Sequence, residues 1–453
     1  MGKSGAMLVR SLLIIFAVVL LAGCQQMAQP FIDSGNAKTT EKNYEQAVAN
    51  FSRAININPG SAQAYAGRGR VYNIQKQYDL ALADLNKAIE LDPNLAIAYY
   101  RRGNAYLAKE VWDQAIADYT RAAELKPDMA NAYSMRAWIY ESKKKDFDKA
   151  IADYSTAIGL SDYVGYYSGR GWCYQQLKQY DKALSDYSKA IESDNNTAYT
   201  YGNRGWCNVE MKQWENALSD FNRAIELDGS DAQYYMNRGY CLSKLKKYDE
   251  AIADYNTARR MNFTDMDSLY SVLSECYILK KDYTAAISIC TEAIQNNPQS
   301  AGNYNNRGYT YVMMGDYEKA LPDITRAFEL ATDNTSTWAY LDTRGWYYFK
   351  TGDMEKALAD LDKSLELNHD SIVYGHRAQV YYTIKEYDKA IADLDKSIEL
   401  NNEYAEAYYY RGLCYKALGQ TDKAIADFQS AAEYSDDDAI TANVANELTG
   451  LKQ

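Results

Sequence analysis

Residues 198–231 read AYTYGNRGWCNVEMKQWENALSDFNRAIELDGSD, and this stretch decides the fold. Its first half sets Arg204 beside Gly205 within a run free of proline. Its second half sets Ala217 and Ala224 seven residues apart, so both fall on one face of a helix. Small residues at these three places let two helices approach closely, where a larger side chain would wedge them apart.

The arrangement recurs along the chain. Gly69, Gly103, Gly171, Gly205 and Gly239 are separated by multiples of 34, and Gly308, Gly345 and Gly412 continue the series with small slips. Twelve units cover 28–438, beginning near 28, 62, 96, 130, 164, 198, 232, 267, 301, 338, 371 and 405. Some twelve residues past each glycine position stands an alanine, from Ala47 to Ala424. Seven further on is a second small residue, with Ser364 and Ser397 replacing alanine in two units. Tyr99, Tyr106 and Trp112 mark the fourth, eleventh and seventeenth positions of the third unit and recur elsewhere, which gives the 44 tyrosines a place in the core. Pro59, Pro93, Pro127 and Pro298 stand at position 32, where proline suits a helix exit. Each unit is thus a helix, a short turn, a second helix and another turn. No unit buries its apolar face alone, so stacking supplies the core.

Composition agrees. An apolar content of 47 % excludes general disorder, and six prolines in 453 residues exclude a turn-rich all-β chain. The net charge of −12 argues against a nucleic-acid partner.

These units resemble tetratricopeptide repeats. The resemblance implies an all-α solenoid of about twelve helical hairpins in a right-handed superhelix, with a concave groove lined chiefly by positions 2, 5, 9, 12 and 13 of each first helix. Residues 439–453 read as a capping helix. Position 9 carries Trp138, Trp172, Trp206, Tyr240, Tyr309 and Trp346, the candidate binding residues; the same rings would also serve as packing between adjacent first helices. Some family members clamp a C-terminal carboxylate with lysine, asparagine and arginine. Here Arg70 and Asn104 occupy position 9 of units 2 and 3, but position 5 offers Ala66 and Tyr100 without a lysine, so that clamp is not supported.

Position 7 is arginine in ten units and position 23 is aspartate in the same ten, as in Arg204 with Asp220 and Arg238 with Asp254. Units 1 and 8 lose both together, carrying Ser34 with Asn50 and Leu273 with Ile289. Joint loss predicts an ion pair within each unit, joining its two helices.

At the N-terminus, Lys3 and Arg10 precede an apolar run from Leu12 to Ala22, and Leu21-Ala22-Gly23-Cys24 follows. The run is short for a membrane span and suits a signal-peptide core. The tetrapeptide resembles a bacterial lipobox, which implies cleavage after Gly23 and lipidation of Cys24. Gln25, in place of an aspartate, leans towards the outer membrane. Gln25, Gln26 and Met27 would form a short tether of about 10 Å, leaving the scaffold close to the membrane.

Units 7 to 10 are irregular. The loop through Phe263 and Met266 is too long by one residue, Thr335–Thr337 are inserted before unit 10, and Pro322 falls within a second helix, where a kink is expected. A bend here would divide units 1–8 (28–300) from units 9–12 (301–438). Cys173, Cys207, Cys241, Cys276 and Cys414 share position 10 and read as core thiols, as does Cys290 unless it bridges to Cys276 across one unit. His369 and His376 show no metal-ligand spacing. No phosphate loop or nucleophile elbow appears, so no cofactor, metal or small-molecule substrate is expected. The chain reads as a scaffold, not an enzyme. Its partner is an envelope protein or peptide or, in a second reading, a glycan stacked on the tryptophans, as in polysaccharide export.

Overall fold

The computed structural model describes residues 23–193, 197–331, 336–435 and 437–451. Of the leader, only Gly23 lies among them. The described chain is an all-α solenoid of paired helices, divided into two compact units, Met1–Asp228 and Gly229–Gln453. Segments such as YDLALADLNKAIEL fold as helices because alanine, leucine, lysine and glutamate lose little on entering one.

The turn from first to second helix uses a left-handed residue. It is a lysine in most repeats, such as Lys76, Lys178 and Lys212 (φ 60°, 56° and 57°), and Glu110, Gly315, Gly352 or Gly419 in the others. The second helix then starts on a cap where the sequence supplies one, as the Asp316 carboxylate accepts from the Lys319 backbone N–H.

The first helix of the first repeat, α1, spans 23–40, so Gln25–Met27 continue that helix instead of forming an extended tether. Ala28 and Ile32 are its first buried residues. The helix α18 (Tyr317–Leu330) runs unbroken through Pro322. The predicted cap is α25, Asp438–Leu451, which buries Val444 against Phe428 and its neighbours.

In the repeats that keep it, the glycine of the first helix faces a large side chain of the second. A Cβ on Gly103 would lie 2.7 Å from the Tyr119 ring, and one on Gly239 would lie 2.7 Å from Tyr255; both rings are fully buried. The close approach is what seats these rings, each contributing about 1.5–3 kcal/mol.

The fourth repeat departs from this plan. From Ala137 to Ala150 is one residue more than the corresponding interval elsewhere, and the extra residue is absorbed by a π-helical turn, Tyr140–Lys144, after α7 (Ala130–Ile139). That turn draws Glu141 inward, where the Tyr154 hydroxyl donates to its carboxylate at 2.6 Å.

The ion pairs hold each hairpin across its own helices. Arg204 Nη2 and Nε approach Asp220 at 2.6 and 3.1 Å, and Arg238 Nη2 and Nε approach Asp254 at 2.6 and 2.7 Å. Hydrogen bonding to the carboxylate holds guanidinia such as those of Arg68, Arg102 and Arg238 above the usual arginine range. Sequence reading missed a third partner. The remaining Nη1 reaches back to position 25 of the preceding repeat: Arg68 to Ser52 at 3.0 Å, Arg136 to Thr120 at 2.7 Å, Arg204 to Ser188 at 3.1 Å. In the last two repeats that partner is a second carboxylate, Asp362 for Arg377 and Asp395 for Arg411.

The repeats that lack the pair replace it in kind. In the first, Asn50 Nδ2 donates to Ser34 Oγ at 2.9 Å. In the eighth, Leu273 and Ile289 are both buried and apolar, and polar bonds shift to one end of the hairpin. There Glu292 accepts from Arg259 and Tyr270, both at 2.9 Å, while Asp267 takes Asn297 at 2.7 Å and Asn303 at 3.0 Å. All of these but Asn303 line a cleft of about 610 Å³. In the tenth, Arg344 keeps Asp360 but among the described residues makes no bond to the preceding repeat; its guanidinium instead stacks 4.2 Å from the Phe328 ring.

Two outcomes follow from this packing. Arg204→Ala leaves the buried Asp220 with Asn208 Nδ2 as its one side-chain donor among the described residues, and should cost about 3 kcal/mol in urea unfolding. Adding Asp220→Ala should cost less than the two single losses summed, by about 1–3 kcal/mol; additive losses would show that the pair is not coupled. Burial raises the Glu141 carboxyl above the usual carboxylate range. Its folded form therefore holds the proton more tightly than the unfolded chain, and stability is lost as pH rises through the raised value. Glu141→Gln keeps an acceptor for Tyr154 without the charge. It should raise the thermal midpoint at pH 7–8, with a gain that shrinks towards zero near pH 4; an equal gain at both pH values would contradict this.

Candidate binding surface

Position 9 is not one environment. Trp138 and Trp206 are 39 % and 38 % exposed, Trp172, Tyr240 and Tyr309 are half-buried, and Trp346 is buried. Trp138, Trp172 and Trp206 belong to the first unit; Tyr240, Tyr309 and Trp346 belong to the second. In the first unit Trp138 and Trp172 lean on the start of the preceding second helix. Trp138 lies 6.5 Å from Trp112, and Trp172 meets Phe147 edge-on at 5.6 Å. Lysines of the adjoining turn cover one side: Lys143 sits 4.9 Å from the Trp112 ring and 5.7 Å from Trp138, and Lys145 5.5 Å from Trp172. These rings are therefore partly packing, and the uncovered faces of Trp138 and Trp206 are what remains for a partner.

The second unit closes its inner side with its own residues. The His376 imidazole stacks on Trp346 at 4.0 Å, and its Nδ1 lies 2.8 Å from Asp342 Oδ1. Lys350 lies 4.3 Å over the same Trp346 ring, and burial lowers its pKa. Burial and the nearby Asp342 and Glu406 carboxylates raise the Tyr309 phenol, and burial with Glu406 raises that of Tyr404. Tyr404 donates to Glu406 at 2.9 Å, and its ring lies where a Cβ on Gly375 would touch it at 3.0 Å. The chain end returns to the start of the unit, with Asp437 2.8 Å from Lys281 Nζ and the Tyr434 carbonyl 3.4 Å from Lys246 Nζ.

The first unit keeps its rings available. Among the described residues the four most exposed aromatic side chains are Trp138, Tyr163, Tyr199 and Trp206, all in this unit. Its inner seam also carries a pair of arginines outside the repeat pattern. Arg70, on α3 (Ala62–Ile74), is exposed, and Arg101, on α5 (Ala96–Ala108), is half-buried. Position 9 singled out Arg70; Arg101 stands at position 6, which the family pattern does not count as groove-lining, and was missed.

Cys276 and Cys290 are free, buried thiols, not a disulfide, and the other position-10 cysteines, Cys173, Cys207, Cys241 and Cys414, are equally buried. Burial pushes Cys276 up to about 12 and Cys290 up to about 11. The second histidine, His369, bonds Tyr374. Among the described residues no group of three or more His, Cys, Asp or Glu could hold a metal, and no helix is long and apolar enough to cross a membrane.

Comparison with curated proteins gives no match. Among solved structures the chain is similar to the Cut9 and Hcn1 hetero-tetramer of APC/C (15 % identity over 92 % of this chain and 95 % of that one, TM-score 0.45). It is also similar to YrrB, described as a TPR protein with an unusual peptide-binding site (25 % over 43 % and 97 %, TM-score 0.38), and to yeast Tom70 (15 % over 94 % and 96 %, TM-score 0.36). Family models described as TPR repeat or tetratricopeptide repeat match residues 69–110, 100–165, 165–196, 198–231, 232–265, 267–300, 299–368, 378–419 and 405–438. With its period, helical hairpins and glycine contacts reproduced over most of its length, the chain belongs to the tetratricopeptide repeat family.

Proposed function

We propose that this chain is a protein–protein interaction scaffold, not an enzyme, that receives a partner along the inner wall of its first unit. The observation that carries this reading is the confinement of the most exposed aromatic rings to that unit, Trp138, Tyr163, Tyr199 and Trp206. Flat rings with one open face offer large contact area at low entropic cost. Tetratricopeptide repeats stack into extended walls suited to such contacts. Crosslinking in the native host, followed by mass spectrometry, should lose its dominant partner in the Trp138→Ala/Trp206→Ala variant. An unchanged partner set would move the binding face elsewhere. A saturable change in tryptophan fluorescence on titration with cell-wall sugars would instead favour the glycan reading.

The same proposal places the scaffold at a bacterial membrane, anchored by lipid on Cys24 and facing the periplasm or the surface. Its support is the Leu21-Ala22-Gly23-Cys24 sequence after an apolar run. With Ala28 already packed, four residues beyond Cys24, an acyl chain there would hold the first repeat at the bilayer surface. Two acyl signals give stable anchoring where one does not. Intact-mass measurement of the mature protein should find an acylated N-terminal Cys24, and Cys24→Ser should move the protein from the membrane to the soluble fraction. A Cys24→Ser protein that stays with the membrane would refute the anchor.

A further inference from the structure

The joint between the seventh and eighth repeats departs from the shared pattern at four positions. Arg259 stands where the other repeats carry an apolar residue, as in Ile89, Ile225 and Phe328. Asn296 replaces a leucine such as Leu91, Leu125 or Leu227, and Asp267 replaces the alanine of most repeats. Glu292 takes a place filled mostly by lysine or arginine, as in Lys87, Arg121 and Arg326. The four meet where α14 (Tyr248–Arg260) and α16 (Tyr283–Asn296) end and α15 (Met266–Leu279) begins, and all four line the cleft of about 610 Å³.

These polar groups are not needed to replace the missing arginine and aspartate, because Leu273 and Ile289 already bury against that loss as an apolar pair. They hold one another in place instead. The Tyr270 hydroxyl donates to Glu292 at 2.9 Å and accepts from Asn296 Nδ2 at 2.7 Å, while Arg259 Nη1 donates to Glu292 at 2.9 Å. Tyr270 is itself buried, so the network is anchored from beneath. Each outer group keeps one arm. Arg259 retains Nη2, Asn296 retains Oδ1, and Asp265, whose Oδ1 caps the Ser268 backbone N–H at 3.1 Å, retains Oδ2; none of these is bonded among the described residues. A network that served packing alone would fill the space between three helix ends. This one lines it.

The lining selects by charge and by hydrogen-bonding type. A carboxylate or phosphate only accepts, and would meet Asp265, Asp267 and Glu292. An ammonium only donates, and would meet Arg259. A hydroxyl donates and accepts at once, which suits free arms of both kinds. Neighbouring hydroxyls of a sugar ring present that pairing repeatedly with no net charge to desolvate. The volume lies within the roughly 300–1,000 Å³ of small-molecule sites. We infer that this joint is a saccharide site, in which Arg259 donates to the hydroxyls of a neutral sugar while Asp265 and Asn296 accept from them. The site lies in the second unit, apart from the tryptophans of the first, and goes beyond the partner wall proposed there.

The test is a printed array of neutral and acidic oligosaccharides probed with the full chain, followed by calorimetric titration of the bound sugars. Asn296→Leu and Arg259→Ile restore the kinds of residue that other repeats carry, so both variants should fold, as thermal melting checks. At least one neutral oligosaccharide should bind saturably, and each cleft variant should hold it about tenfold or more weakly. The Trp138→Ala/Trp206→Ala variant should bind it as wild type does. An array on which no neutral sugar binds, or only uronate-bearing or sulfated ones, would overturn the site. Sugar binding that survives both cleft variants but is lost with the tryptophans would move it to the first unit and overturn it as well. Spermidine held more tightly than any sugar, and lost in the same cleft variants, would make the cleft a cation site instead. None of these results bears on the crosslinking test of the first-unit wall, so the two readings fail separately.

Discussion

The arginine at position 7 is the interaction on which the stack depends. Its fork closes on the aspartate of its own second helix, and its third arm reaches the preceding repeat, as Arg204 holds Asp220 and Ser188 together. One side chain thereby fixes the hairpin and its registration on its neighbour. An isolated surface pair would contribute little. Here the aspartates are buried and their donors are placed by rigid helices, so the desolvation of each carboxylate is offset by two or three charge-assisted bonds. In a solenoid most repeats touch only their neighbours, and a bond that spans the interface corrects a slipped repeat locally.

The exceptions show what the node must satisfy. Charge is dispensable; complementarity is not. Ser34 with Asn50 is polar against polar, Leu273 with Ile289 apolar against apolar, and no repeat among the described residues leaves half of a pair behind. What changes is the coupling between repeats. The eighth repeat moves its polar bonds to the hairpin end, through Glu292 and Asp267. The tenth, after its inserted residues, trades a hydrogen bond to the preceding repeat for stacking of Arg344 on Phe328. Stacking of this kind tolerates sliding better than a directional bond, so the irregular sequence of repeats 7 to 10 is matched by a change in the kind of contact, not by a break in the helices.

Much of this was legible in the sequence because close packing leaves a periodic trace. Glycine and alanine at three fixed positions have one physical reading, and the joint loss of arginine and aspartate located a contact without any coordinates. The third arm was not legible, since serine, asparagine, threonine and aspartate at position 25 share only an acceptor oxygen. Nor could the register at position 9 tell Trp206 from Trp346. Their sequence settings match, but one keeps an open face and the other is sandwiched by His376 and Lys350 from the next repeat and its own helix. The departures around the cleft of the eighth repeat were missed for the opposite reason. A deviation in one repeat carries no periodic signal, and its meaning appears only when Arg259, Asp267, Glu292 and Asn296 are seen around one cleft.

The contrast between the two units follows from how each spends its polar and aromatic groups. In the second, the chain end bonds back to Lys281, and the inner helices direct Tyr309, Tyr404, Asp342 and His376 at one another. Closure is extensive, though Tyr255 OH, Trp346 Nε1 and Asn305 Oδ1 stay buried without partners among the described residues. In the first, the same repeat leaves two tryptophans and two tyrosines open. An inner wall that satisfies itself gains stability and loses the means to bind. A wall left unsatisfied at a few places, on helices already fixed by the arginine nodes, stays rigid while retaining groups that only a partner completes. The repeats between 62 and 228 meet that second condition, and the division arises from single-residue departures within one shared pattern.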